Sequence, residues 1–221
     1  RYVDNPQVKL AGLGQRNNYA QVIVEADVSG DLRYYKNVLG GEEFGGSLEF
    51  QVDDGTDVMK IRCYDEATSE LIRERKLPAQ GDRITVRGTF QSRGKTRSII
   101  LGSAYGISIS RSRPGQIMTW NEISGLTQNA GVLTEGRVLS AKYNRYRMEF
   151  IIDDGAGNTA IAYIPGSILD ALGIPEENRI WEGMPQAGDL VRVSGIAVIE
   201  RGRDPGFSIA LALPEDIRKV Q

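Results

Sequence analysis

Residues 49–55 of the 221-residue chain are Glu-Phe-Gln-Val-Asp-Asp-Gly, and residues 149–155 are Glu-Phe-Ile-Ile-Asp-Asp-Gly. In each copy apolar positions alternate along the chain up to Asp-Asp-Gly, which is typical of a half-buried strand that runs into a tight hairpin turn. Recurrence after one hundred residues indicates an internal duplication. The sequence therefore predicts one domain present twice, each copy organised around this strand and its turn.

The composition is that of an ordinary globular protein, with 40% hydrophobic and 25% charged residues. Two domains of about 110 residues are each large enough to bury a core. No apolar run approaches the roughly 18 residues of a membrane helix, and we expect no membrane partner. The formal net charge is −2, so any binding of nucleic acid has to depend on local basic patches and not on bulk charge.

The sequence contains no histidine, which excludes Ser-His-Asp and Cys-His catalysis and the usual zinc sites that contain histidine. The single cysteine, Cys63, lies in an apolar strand, which favours a packed thiol over a nucleophile. The glycine pairs at 40–41 and 45–46 do not form a phosphate-binding loop, because no Gly-Lys-Ser or Gly-Lys-Thr follows them. We expect no cofactor, and an enzyme ranks last among the candidate functions.

The chain starts at Arg1, with no initiator Met and no signal-like apolar run. This start predicts a piece of a longer protein or a processed product, with a cytoplasmic location favoured.

The same order of elements is predicted in both halves. In the first half we predict strands at 21–28, around Phe50, at 58–64, 81–88 and 98–101, and a helix within 66–76. A long glycine-containing loop is predicted between the first two strands, and residues 106–118 are predicted to be a linker. In the second half the predicted elements are strands at 132–139, 149–152, 159–164 and 188–195, a shorter loop at 142–147 and a helix at 167–172.

Five short strands with a helix between the third and fourth are the plan of an OB-fold, a Greek-key barrel. The succession of strand, Asp-Asp-Gly, strand, helix, Gly-Asp and an alternating strand that ends in Gly resembles the anticodon-binding and replication protein A type of OB domain. Residues 52–56 with 81–88 carry it in the first half, and 152–155 with 188–195 in the second. We predict an all-β protein of two tandem five-stranded OB-fold barrels, residues 1–112 with an N-terminal extension and residues 113–221.

The resemblance implies that single-stranded nucleic acid or another oligomeric ligand binds across strands two and three, between the loops that join strands one to two and four to five. Because neighbours in a strand point to opposite faces, we expect one side of the third strand to face the core and the other to face this groove. The expected inward residues are Met59, Ile61 and Cys63, and the expected outward residues are Lys60, Arg62 and Tyr64, beside Gln51.

The candidate binding residues are cations for backbone phosphates and flat rings for unstacked bases. In the first half they are Arg33, Tyr34, Tyr35, Lys36, Lys60, Arg62, Tyr64, Arg93, Lys95 and Arg97. In the second half they are Tyr143, Arg145, Tyr146, Arg147, Arg201 and Arg203. The alternative interpretation is a solvated charged surface whose tyrosines cover the barrel edge.

A direct alignment of the two halves places a small apolar set on the groove face of the second domain. This set is Ile151, Ala160, Ala162 and Ile164. Such a face either packs on another part of the protein or binds a protein partner. We therefore expect the first domain to be the principal reader of nucleic acid and the second to be an accessory binder or an assembly surface.

The aspartate pairs 53–54 and 153–154 suggest either a metal or acid–base site, or the side chains that a tight turn requires. The turn is favoured, because no second carboxylate cluster completes a site. Trp120 and Trp181 lie outside the repeated strands, where packing between the domains competes with base stacking as the role of these rings.

The leading function is binding of single-stranded DNA or RNA, which residue types do not distinguish. The alternative is a protein-interaction or scaffold module.

Overall fold

The computed structural model describes residues 7–39, 42–111, 114–127, 129–144, 146–177, 179–200 and 206–220. The chain forms two compact units, Arg1–Ser110 and Arg111–Gln221, which are treated separately below. In the described ranges, no helix combines the length and the apolar character that crossing a membrane would require.

Strands make up most of the first unit. Its elements are β1 (Gln21–Val28), β2 (Arg33–Leu39), β3 (Glu42–Asp53), β4 (Val58–Tyr64), α1 (Asp65–Arg73), β5 (Arg83–Arg93), β6 (Thr96–Leu101) and β7 (Ile107–Ser110). Short 3-10 turns at Leu10–Gly12, Gln15–Asn17 and Ala104–Gly106 complete it.

The second unit follows the same plan. Its elements are α2 (Trp120–Ser124), β8 (Ala130–Asn144), β9 (Arg147–Asp153), β10 (Thr159–Pro165), α3 (Gly166–Ala171), β11 (Leu190–Ile199), β12 (Phe207–Ala210) and β13 (Ile217–Lys219).

Strand pairing closes a five-stranded barrel in each unit. In the first, the ring runs β1-β3-β4-β6-β5 and returns to β1, with β4 and β6 parallel. In the second, it runs β8-β9-β10-β12-β11 and returns to β8, with β10 and β12 parallel. The helices α1 and α3 each follow the third barrel strand. This order confirms the predicted tandem of all-β OB-fold barrels.

The alternation predicted for the third strand of the first barrel is present. Met59, Ile61 and Cys63 point into the core with exposed fractions of 2%, 0% and 0%. Burial raises the pKa of the Cys63 thiol to about 12, so the thiol stays protonated at neutral pH. The cysteine is a packed side chain, as the sequence predicted.

The predicted loop between the first two barrel strands is instead a hairpin. Strand β2 pairs antiparallel with the first half of β3, with Arg33 opposite Glu49 and Tyr35 opposite Ser47. One of the glycines that suggested a loop, Gly46, serves this pairing, since a Cβ there would lie 2.6 Å from Cε2 of Tyr34, whereas Gly40 and Gly41 lie outside the described residues. The loop interpretation was wrong because Gly46 is required by the close approach of the Tyr34 ring and not by a loop. The aromatic residues beside Arg33 are typical of the strand that forms there.

Two shorter predicted connections also contain strand. Residues 107–110 of the predicted linker form β7, which pairs with β5. The predicted 142–147 loop is mostly the end of β8 and the start of β9, which pair up to Asn144 and Arg147. In both places the residues are polar, which favoured a loop, but their backbone groups form hydrogen bonds to a neighbouring strand.

The predicted apolar groove face of the second domain is wrong at three of its four positions. Ala160, Ala162 and Ile164 pair with core residues of β9 and have exposed fractions of 2%, 0% and 0%. Only Ile151 lies at the surface, 36% exposed. The second Asp-Asp-Gly turn is one residue longer than the first, and a shift of one residue moves every side chain of a strand to the other face. The outward residues of β10 are therefore Ile161, Tyr163 and Pro165.

Both tryptophans pack inside the second unit. Trp120 lies edge-on to Phe207, with ring centroids 5.9 Å apart, and its indole N–H donates to the carbonyl of Glu135. Trp181 lies edge-on to Phe150, also at 5.9 Å. Each ring therefore packs against an aromatic side chain of its own unit.

Candidate nucleic-acid interface

The aspartate pairs shape the turns that set the register of each face. The Asp53 carboxylate accepts from the Gly55 N–H at 2.7 Å, and the Asp54 carboxylate accepts from the Thr56 N–H at 2.9 Å. In the second copy Asp154 accepts from the backbone of Ala156 at 2.8 Å. The described residues include no acidic or cysteine cluster suited to a metal ion. The turn interpretation of these pairs is confirmed.

Asp54 also anchors the N-terminal segment. Its second carboxylate oxygen accepts from the Leu10 N–H at 2.9 Å. Partial burial acts to raise the pKa of this carboxyl, but hydrogen bonds from the Thr56 hydroxyl and from the Leu10, Thr56 and Asp57 amides outweigh it and lower the pKa to about 2. The turn of the repeated motif therefore ties residues 8–13 to the barrel.

Cross-strand pairing arranges the outward residues of the first unit in rows across β2, β3 and β4. One row is Arg33, Glu49 and Arg62, and the next is Tyr35, Ser47 and Tyr64. A third row pairs Gln51 with Lys60. We call Arg33, Tyr35, Glu49, Lys60, Arg62 and Tyr64 the first face. Since neighbouring strands lie about 4.8 Å apart, each three-strand row spans roughly 10 Å.

A carboxylate occupies the centre of the first face. Lys60 Nζ lies 2.7 Å from Glu49 Oε1, and Arg62 Nε lies 2.9 Å from Glu49 Oε2. Burial of the Glu49 carboxyl acts to raise its pKa, but the hydrogen bonds from Lys60 and Arg62 outweigh burial and hold the pKa below its ordinary value. Sequence reasoning missed Glu49, although its repetition as Glu149 was a usable signal.

The two tyrosines of the first face are available to a ligand. Tyr35 is 48% exposed and Tyr64 is 46% exposed, and only the small Ser47 separates them in the row. Arg93 and Lys95 lie exposed at the β5–β6 turn. Because β6 runs parallel to β4 with Ser98 beside Lys60, this turn lies near the start of β4, and Tyr64 lies at the other end.

Three predicted residues of the first unit lie elsewhere. Tyr34 and Lys36 point to the opposite side of the β2–β3 hairpin from Arg33 and Tyr35, because side chains alternate along a strand. Arg97 pairs with Asp57 and donates to the carbonyl of Leu13. It holds the N-terminal segment and the β3–β4 turn together.

The second unit presents a different face. The guanidinium carbon of Arg147 lies 4.4 Å from the ring centroid of Tyr163, and Tyr163 is only 7% exposed. Arg147 Nε donates to Glu149 at 2.7 Å, and the Asn144 amide donates to the same oxygen at 2.8 Å. Tyr163 was missed because the alignment without the extra turn residue assigned it to the core. The cation and the ring are thus already engaged with each other.

Of the other binding residues predicted in the second unit, Tyr143 has a structural contact and Tyr146 is exposed to solvent. The Tyr143 hydroxyl accepts at 3.1 Å from Arg179, whose side chain is 1% exposed and also pairs with Asp170 at 2.6 Å. This contact fixes the segment after α3. Tyr146 is 74% exposed at the β8–β9 turn. Arg145, Arg201 and Arg203 lie outside the described residues.

No protein-family model and no curated protein matches the sequence. Among solved structures, the chain is similar to the second OB-fold domain of replication protein A from Methanococcus maripaludis (14% identity, TM-score 0.35, 49% of this chain and 99% of that one). It is similar to a replication protein A heterotrimer bound to ssDNA (11%, 0.39, 92% and 49%) and to the p204 HINb domain (9%, 0.34, 89% and 95%). These likenesses are too distant to assign a function. By its own strand order, the chain is a tandem of two OB-fold barrels.

Proposed function

We propose that this chain binds single-stranded nucleic acid, chiefly through the first face. The observation that carries the proposal is a pair of neighbouring rows on one side of β2, β3 and β4. One row contains the cations Arg33 and Arg62, and the next contains the rings Tyr35 and Tyr64. Phosphates require cations, and unstacked bases require flat apolar surfaces. Arg33, Lys60 and Arg62 provide the first, and Tyr35 and Tyr64 provide the second.

The tyrosines favour a single strand over a duplex. Paired bases are stacked on each other and hide their ring faces, whereas unpaired bases can stack on a protein ring. The path from the basic β5–β6 turn along β4 to Tyr64 is roughly 20 Å long, from a rise of about 3.3 Å per strand residue. An OB domain typically covers about four or more nucleotides, which matches that length.

The second unit is proposed as an accessory binder. Its cation and ring, Arg147 and Tyr163, are engaged with each other, and the most exposed ring near that face is Tyr146. A protein-binding face built on Ala160, Ala162 and Ile164 is not proposed, because those side chains are buried. The contribution of the second unit is therefore expected to be smaller than that of the first.

The proposal is tested by titrating the full chain into fluorescein-labelled single-stranded DNA, single-stranded RNA and duplex DNA of about 15 nucleotides. We expect binding to both single strands, weaker binding to the duplex, and a steep decline in affinity as salt rises. Arg33→Ala should weaken binding and reduce the salt dependence. Arg83→Ala removes one cation next to Glu25 and Asp27, away from the first face, and is the control.

Equal loss in both variants, or no binding to any oligonucleotide at low salt, would overturn the proposal. Binding that does not respond to salt would indicate an apolar contact instead.

A further inference from the structure

The Glu49 carboxylate pairs with both cations at the centre of the first face. Each of its oxygens has a separate partner, Lys60 on Oε1 and Arg62 on Oε2. The Glu49 side chain is 14% exposed, and the two cations are 35% and 30% exposed. Lys60 and Arg62 are therefore accessible to a ligand but already hold an anion.

We propose that Glu49 is an intramolecular competitor of the nucleic-acid backbone, so that a phosphate gains Lys60 and Arg62 only by displacing it. This inference rests on the proposed function, because it concerns how the same face selects its ligand. A carboxylate and a phosphate in contact with the same cations repel each other. The exchange is feasible because part-exposed ion pairs are weak and are screened by salt.

Arg33 determines where such an exchange would start. It is exposed on β2 directly across from Glu49, on the side away from Lys60 and Arg62. A phosphate that first contacts Arg33 lies next to the carboxylate it must displace. A ligand with several linked phosphates can hold Arg33 and the β5–β6 turn while the exchange occurs, whereas a mononucleotide cannot. Glu49 therefore makes the face selective for polymeric anions.

The second unit contains the equivalent carboxylate in a different setting. Glu149 accepts from Arg147 and from the neutral Asn144 amide, and Arg147 also lies over the Tyr163 ring. Among the described residues, Arg147 is the one cation that donates a hydrogen bond to Glu149, and the Tyr163 ring holds this cation as well. Competition of the kind proposed for Glu49 is therefore specific to the first face.

The test is Glu49→Gln in the full chain, titrated into fluorescein-labelled oligothymidylate of about 15 nucleotides at salt concentrations from about 50 to about 200 mM. Glutamine keeps the shape and removes the charge. We expect binding about three- to tenfold tighter at the lowest salt, and a salt dependence steeper by about 0.7 in log–log slope, the effect of about one more phosphate contact on a single strand. A purely structural role of Glu49 would not steepen the slope.

Glu25→Gln is the matched control. Glu25 also pairs with an arginine, Arg83, but it lies on β1 outside the first face, and its replacement changes the net charge equally. It should leave both affinity and slope unchanged. In the Glu49→Gln background, Lys60→Ala combined with Arg62→Ala should abolish the gain, because the freed cations are its source. Circular dichroism melting checks that each variant folds.

Three results would overturn the inference. Unchanged affinity in Glu49→Gln means that the carboxylate does not compete, and weaker binding means that it positions Arg62 for the ligand; in both cases the proposed function stands. If neither the unsubstituted chain nor Glu49→Gln binds, the proposed function falls as well.

Discussion

At the residue scale, single carboxylates determine much of the behaviour expected of this protein. Asp54 caps a turn and holds a distant backbone amide, while Glu49 holds two cations on a surface proposed to bind anions. The same side-chain chemistry thus serves the fold at Asp54 and is proposed to select the ligand at Glu49. The distinction depends on what faces each carboxylate, backbone amides in one case and long cationic side chains in the other.

Asp54→Asn should reduce the stability of the first unit in a pH-dependent way. The folded-state pKa of Asp54 is about 2, below its ordinary value of 3.8, so its stabilisation is present above about pH 4 and is lost as the pH falls toward 2. We expect a loss of about 1–2 kcal/mol at pH 7 from weakened charge-assisted hydrogen bonds, and little difference near pH 2. Urea unfolding followed by far-UV circular dichroism at both pH values measures this.

The control for this prediction is Asp31→Asn, which removes the same charge at an exposed position. A stability loss in Asp54→Asn that is equal at pH 7 and pH 2 would contradict the assigned role of the charge.

Tyr35→Ala and Tyr64→Ala should each weaken binding to single strands by about 1–3 kcal/mol, the range for loss of one stacked base. The salt slope should stay unchanged, since no phosphate contact is removed. Tyr105→Ala, which removes an 83% exposed ring outside the first face, is the matched control. Fluorescence anisotropy across a salt series distinguishes the variants. Loss of slope without loss of affinity would contradict stacking.

At the element scale, the β2–β3 hairpin creates the first face. Without β2, Arg33 and Tyr35 would not lie beside Glu49 and Ser47, and the cationic and aromatic rows would each lose a member. The hairpin extends the sheet beyond the five barrel strands, because β2 pairs with β3 outside the closed ring.

Gly46→Ala should destabilise this hairpin selectively. The added Cβ would lie 2.6 Å from Cε2 and 2.8 Å from the hydroxyl oxygen of Tyr34, which forces the ring or the strand to move. We expect a cost of about 1–3 kcal/mol, faster amide hydrogen exchange in residues 33–36, and weaker oligonucleotide binding. Gly102→Ala, where a Cβ meets nothing within 4 Å, is the control. Unchanged exchange in β2 would refute this packing role.

At the scale of the whole molecule, the duplicated barrels have diverged in what their outward strands carry. The first unit presents exposed tyrosines and cations around a carboxylate, whereas the second presents an arginine stacked on a largely buried tyrosine. We therefore propose unequal roles for the two copies of one fold, because function depends on the side chains that the fold carries.

Replacing Arg33, Tyr35 and Tyr64 together by Ala in the full chain should remove most of the affinity for single-stranded oligonucleotides. Replacing Tyr146 and Arg147 together by Ala should reduce the affinity by less than about tenfold. A cation–π contact at an exposed site contributes about 1 kcal/mol, which corresponds to less than a tenfold change in affinity. Anisotropy titrations of both variants against the unsubstituted chain compare the units directly. A larger loss from the second-unit variant would reverse the proposed hierarchy.

The sequence by itself determined the duplicated barrel, the turns and the face orientation of β4. Alternation and turn chemistry are local properties, so Met59, Ile61 and Cys63 were assigned to the core, and the Asp-Asp-Gly stretches to hairpins, without knowledge of distant contacts. The binding roles assigned to individual residues remain predictions.

Only the tertiary structure decided the register of the second copy, the hairpin status of β2 and the partners of Glu49. Each depends on which backbone lies alongside. Because the strand period is two, a one-residue difference in a turn is enough to place Tyr163 and not Ala162 on the outward side of β10. Pairing between strands that are distant in the sequence is set by the closed barrel as a whole. No local pattern contains that information.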